Sequence, residues 1–130
     1  MTKRRLETEG APKAMGPYSQ GIVANGFCFC AGQLGLDPAT GDLVEGGVGP
    51  QTERALKNLV SVLDATGLSL ADVVKTTCFL ADIADFAAFN EAYARLMPDP
   101  YPARSTFAVG ELPKKGALIE IEAIATFAQV

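Results

Sequence analysis

The chemistry open to this chain is limited first by what it lacks. Its 130 residues include no histidine. Ser-His-Asp, Cys-His and His-ligated metal mechanisms are therefore excluded within it. Two kinds of charged side chain near the C-terminal end can still do work on a small molecule. Arg104 carries a planar fork able to hold a carboxylate through two parallel hydrogen bonds. Glu120 and Glu122 are carboxylates, able to orient water and move protons without an imidazole. Successive strand residues point to opposite faces. Over 118–127, Ile119, Ile121, Ala123, Ala125 and Phe127 therefore share one face, and Glu120 and Glu122 the other. Over 103–109, Phe107 and Val109 go with the apolar face and Arg104 and Thr106 with the polar one. If the two runs pair as a hairpin with their apolar sets together, Arg104 and both glutamates are expected on one face.

The thiols are the other reactive groups. Cys28, Cys30 and Cys78 make an odd count with no disulfide framework, which suits a reducing compartment. Cys28 and Cys30 share a strand face. They could form a reactive or metal-binding pair, but no histidine is available to activate a thiolate. The plainer reading is that all three are small buried apolar residues.

Elements that position these groups can be read along the chain. Asn25-Gly26 lies between two apolar runs and is the preferred two-residue hairpin turn, so short antiparallel strands should flank it. Residues 1–14 read as an irregular arm. The Gly-, Pro- and Asp-rich stretch 32–49 reads as a long surface loop, and neither phosphate-loop pattern is present in it. Residues 50–66 read as a helix, with Pro50 at its start, Gly67 just past its end, and Leu56, Leu59, Val60 and Leu63 as an apolar stripe. The β-branched and aromatic run 73–80 reads as a strand. Asp85 should cap a second helix over 86–96, buried through Phe86, Phe89, Asn90, Tyr93, Leu96 and Met97. Pro98, Pro100 and Pro102 then force an extended lead-in to the last two strands. The order predicts one α+β domain over 1–130, a mixed or antiparallel sheet with two helices on one face. The second face is expected to meet other subunits.

Composition agrees with a folded domain. Apolar residues make up 48% and charged residues 20%. A net charge of −4 disfavours nucleic acid as the main partner. No apolar run reaches the ~18 residues of a membrane span. The basic start at Lys3-Arg4-Arg5 is followed by Glu7, Thr8 and Glu9 rather than by an apolar signal segment. The expected location is the cytoplasm.

Six segments occur in order: Gly16-Pro17-Tyr18-Ser19-Gln20, Ala31-Gly32-Gln33, Val74-Lys75-Thr76-Thr77, Asp85-Phe86…Asn90…Tyr93, Pro102-Ala103-Arg104-Ser105 and Ile119-Glu120-Ile121-Glu122-Ala123. The set resembles the reactive intermediate/imine deaminase family (RidA, YjgF type) over nearly the whole chain. The resemblance implies a chorismate-mutase-like fold, a mixed sheet with two helices on one side. It implies a homotrimer whose sheets close a central barrel, with active sites in the clefts between subunits. The implied activity is hydrolysis of 2-imino acids and their enamine tautomers to 2-keto acids and ammonia, with no cofactor and no metal. It also assigns roles: Arg104 to the substrate carboxylate, Glu120 to water, and Tyr18, Gly32 and Asn90 to substrate binding. Taken singly, Arg104 would be an ion-pair residue, Glu120 a solvated strand residue and Tyr18 a half-buried loop aromatic. The ordered set is what gives them weight.

Ala31 stands where many members carry serine, and Thr106 where some carry cysteine. Both changes leave the arginine and glutamate in place and bear on substrate preference. Two alternatives remain open at the level of sequence. One is a trimer that binds small carboxylates or unfolded chains without catalysis. The other is an endoribonuclease, which the acidic charge and absent histidine disfavour.

Overall fold

Asn25 and Gly26 both take positive φ, 52° and 80°, as a tight primed hairpin turn requires. They join strand β2 (Gly21–Ala24) to β3 (Phe27–Leu34), paired antiparallel as expected. The computed structural model describes residues 2–128. The arm is less irregular than the sequence suggests. Arg4–Leu6 form a short strand, β1, against β2. Only Leu6 of its three residues is buried, too little for an alternation signal.

Helix α1 (Val48–Asp64) follows the long loop. It buries Ala55, Leu56, Leu59, Val62 and Leu63 completely, while Val60 points outward. The helix starts before Pro50 because Gly46 and Gly47, at φ 112° and 92°, make the sharp entry. Pro50 still lies in the first turn, where a missing N–H breaks no helical bond. Strand β4 (Val73–Leu80) and helix α2 (Phe86–Leu96) lie where the residue pattern puts them. Asp85 flanks α2 but makes no side-chain cap. Asp82 instead caps the short 3-10 turn before it, accepting from the Ala84 N–H.

The last two strands are β5 (Ala103–Ala108) and β6 (Ile119–Thr126). They are not a hairpin. The six-stranded sheet runs β1-β2-β3-β6-β4-β5, so β4 separates them, antiparallel to β6 and parallel to β5. Both helices pack on one face, over Cys28, Cys30, Cys78, Ile119, Ile121, Ala123 and Ala125. The three cysteines are free and buried in this core, as the plainer reading expects.

The buried Asn58 of α1 donates to the carbonyls of Leu34 and Leu36, at 3.1 and 2.9 Å, and fixes the chain leaving β3. Gln51 fixes the entry to β6, accepting from the Leu118 N–H at 2.8 Å and donating to the Gly116 carbonyl at 3.2 Å. A smaller apolar cluster of Leu34, Leu112 and Ala117, with Phe79 and Val109 against it, closes that end of the sheet. Among the described residues no helix is long and apolar enough to cross a membrane.

Candidate active site

Arg104 sits on the edge strand β5, in register with Thr76 of β4, which is itself in register with Ala123 of β6. Residues paired in this way share a face, and Ala123 belongs to the core beneath the helices. Arg104 therefore points to the helix side of the sheet. There its guanidinium carbon lies 4.9 Å from the Tyr93 ring centroid, 5.1 Å from Phe89 and 5.8 Å from Phe86. These distances are within the range of cation–π attraction, which eases the cost of a half-buried charge. Among the described residues, no carboxylate forms an ion pair with it. It borders a cavity of about 500 Å3 lined by Asn90, Tyr93, Ala94, Tyr101, Pro102 and Arg104. The Asn90 Oδ1 is buried there without a hydrogen-bond partner among the described residues.

Glu120 lies on the other face, in register with Phe79 of β4 and Leu34 of β3. The backbone of Gly32 comes so close that an added Cβ would stand 2.8 Å from the Glu120 Cδ. A side chain at position 32 would displace the carboxylate. Burial pushes the Glu120 carboxyl above its ordinary range, and the charge of Glu122 adds to the effect. Glu122, on the same face and in register with Thr77, is exposed.

The expectation that Arg104 shares a face with the glutamates is thus overturned. Its premise was that Phe107 belongs with the core. Phe107 instead is in register with Phe79, on the Glu120 side, and is 54% exposed. On an edge strand the larger apolar side chain need not face the helices, and β5 takes the opposite orientation to the one its composition suggests.

Tyr18 is also apart from Arg104. It is exposed on the loop after the arm, its hydroxyl accepting from the Met15 N–H at 3.3 Å. It lines a larger cavity of about 840 Å3 that includes neither Arg104 nor Glu120. Gln20 organises this region. Its Nε2 donates to the carbonyls of Thr8, Ala11 and Pro12, and its Oε1 accepts from the Thr8 N–H. One chain therefore brings together Arg104 with Asn90, and Glu120 with Gly32, but does not join these groups or add Tyr18 to either. The sequence placed Phe89 and Tyr93 on the buried side of a helix without linking them to Arg104. Their spacing with Phe86, three and four residues apart, was the available signal for one aromatic face. Among the described residues, no cluster of three or more Cys, Asp or Glu side chains could hold a metal ion.

Comparison with known proteins gives one answer. A family model described as Endoribonuclease L-PSP matches residues 8–127. The chain is 53% identical over 124 residues to the chloroplastic Reactive Intermediate Deaminase A of Arabidopsis thaliana, covering 95% of this chain and 66% of that protein. It is 45% identical over 125 residues to the 2-iminobutanoate/2-iminopropanoate deaminase of Homo sapiens, covering 96% of this chain and 90% of that protein. The crystal structure of RidA from the Antarctic bacterium Psychrobacter sp. PAMC 21119 superposes with a TM-score of 0.90 at 40% identity, covering 95% of this chain and 99% of that one. A match of this extent in both sequence and fold shows that the chain belongs to the L-PSP family of reactive intermediate/imine deaminases, the RidA or YjgF type.

Proposed function

We propose that this protein hydrolyses 2-imino acids, such as 2-iminopropanoate and its enamine tautomer 2-aminoacrylate, to 2-keto acids and ammonia. Relatives bearing deaminase names at 45–53% identity support the reading. The observation that carries it is Arg104, a guanidinium with no ion-pair partner among the described residues, backed by aromatic rings at the edge of a cavity. Such a group presents the planar fork that binds a carboxylate through two parallel hydrogen bonds. With the carboxylate held there, the adjacent C=N carbon is presented for attack. Glu120 takes a proton from water as the oxygen adds to that carbon. The tetrahedral adduct then loses ammonia, the nitrogen having gained its protons by way of the same carboxyl, and the C=O bond of the keto acid forms. A raised Glu120 pKa suits a group that must both accept and return a proton.

The opposite facing of Arg104 and Glu120 in one chain supports a site built from two copies. The arginine, with Asn90, would come from one subunit. Glu120 and Gly32 would come from the next, and Tyr18 would close over the substrate. The uncovered sheet face, where Phe27, Phe29 and Phe107 are exposed, supports a closed homotrimer with the sheets around a central barrel. Three free buried thiols suit a reducing compartment such as the cytoplasm. The reaction as written requires only water, and the proposed partners are a small substrate and further copies of the chain, not nucleic acid or membrane. A net charge of −4 and the absence of histidine disfavour RNA cleavage.

The test is decay of 2-iminopropanoate, generated in place by a dehydratase, with ammonia measured alongside. The expected result is release of one ammonia per imine, accelerated by the parent protein and not by Arg104→Ala. Imine decay at the uncatalysed rate with the parent protein would overturn the reading.

A further inference from the structure

Thr76 and Tyr93 are buried, and their hydroxyls stand 2.7 Å apart. The bond joins α2 to β4 at a particular place. Thr76 is the residue in direct register with Arg104 on the neighbouring strand. The ring it anchors is also the one closest to the Arg104 guanidinium, at 4.9 Å. Phe89 adds a second face at 5.1 Å and packs against Tyr93 with ring centroids 5.5 Å apart. A freestanding arginine samples many rotamers. This one rests on a ring tied by hydrogen bond to the strand beside its own.

We infer that Tyr93, held by Thr76, is a positioning residue that fixes the Arg104 guanidinium in the orientation that receives the substrate carboxylate. The inference rests on the deaminase reading of Arg104 and adds to it residues that need not touch the substrate's reacting atoms. Burial also pushes the Tyr93 phenol up, so the ring stays neutral over the working pH range. It then offers a π face without becoming a rival anion for the guanidinium.

A carboxylate anchor acts on bound substrate and transition state alike, so loosening it raises KM and leaves kcat. A purely structural hydrogen bond would show instead as a smaller active fraction, lowering kcat at constant KM. The experiment measures kcat, KM for 2-iminopropanoate and calorimetric binding of pyruvate in the intact assembly. Tyr93→Phe keeps the ring and loses the bond. Thr76→Val loses the same bond from the other side. Each should raise KM and the pyruvate Kd about 3–10-fold, with kcat within about twofold of the parent. The double variant should be no worse than either single one, because both remove one interaction. Thr76→Ser keeps the hydroxyl and should return KM to within about twofold of the parent. Tyr93→Leu, which loses the ring as well, should raise KM further.

Parental KM in both Tyr93→Phe and Thr76→Val would overturn the inference, as would a fall in kcat at constant KM. Arg104→Ala separates this from failure of the function itself. If that variant keeps parental KM and activity, the carboxylate anchor is wrong, and the positioning role falls with it. If it is inactive while Tyr93→Phe matches the parent, only the positioning role is wrong.

Discussion

Arg104 and Glu120 are two charged residues in a single sheet, held in different ways. Arg104 lies on an edge strand, yet a helix is built against it, and three aromatic rings surround its guanidinium. Glu120 lies on an inner strand, but on the face that neither helix covers, packed against the bare backbone of Gly32. The first arrangement restrains a long flexible cation against aromatic rings and, among the described residues, pairs its guanidinium with no carboxylate. The second crowds a carboxylate until its proton affinity rises. One suits binding and the other suits proton transfer. Because they face opposite ways, the proposed site takes one half from each of two copies of the chain.

The comparison can be broken by removing each half in turn. Arg104→Ala should abolish 2-keto acid binding and turnover together, and Arg104→Lys should rescue poorly because a point charge does not reproduce the fork. Glu120→Gln should instead retain pyruvate binding, while turnover falls roughly 10²–10⁴-fold, the range for general acid–base groups. Equal losses of binding in both variants would mean that the two residues do not divide the work. Gly32→Ala tests the packing behind Glu120. The new methyl group must push the carboxylate aside, and a displacement of that kind should lower kcat by up to about 10²-fold with pyruvate binding retained. The smallest effect is on pH dependence. Glu120 must be ionised to accept a proton, so activity should fall as pH drops through its raised pKa, on the acid side of a pH profile of kcat. Glu122→Gln removes a like charge that helps raise that pKa. The acid limb should therefore move to lower pH, with kcat on the plateau little changed. An unmoved limb would show that Glu122 does not act on Glu120.

Local pattern carried much of this fold. The Asn25-Gly26 turn, the β-branched run of β4 and the aromatic-rich α2 are each decided by neighbouring residues. What was not legible depends on distant partners. Strand β1 has a single buried side chain, Leu6, and exists because β2 offers it an edge. The insertion of β4 between β5 and β6 is a choice of topology, and both strands would satisfy a hairpin equally well by composition. The facing of Arg104 is a separate matter, set by which side of β5 Phe107 takes. In β6 alternating apolar residues do face the helices, but in β5 Phe107 faces away and Arg104 faces in. The ordered motifs supplied the proposed site residues, whereas alternation put Arg104 on the face opposite to the one it takes.

Mixed assemblies test the shared site most directly. Arg104→Ala and Glu120→Gln chains, each inactive alone, would be unfolded together, refolded at equal amounts and assayed for 2-iminopropanoate hydrolysis. If each site takes its arginine from one chain and its glutamate from the next, random assortment restores both groups in roughly a quarter of sites. The account predicts recovery to about that fraction of parental activity, with refolded single-variant controls remaining inactive. Activity no higher than in those controls, in assemblies shown by mass to contain both chains, would contradict it.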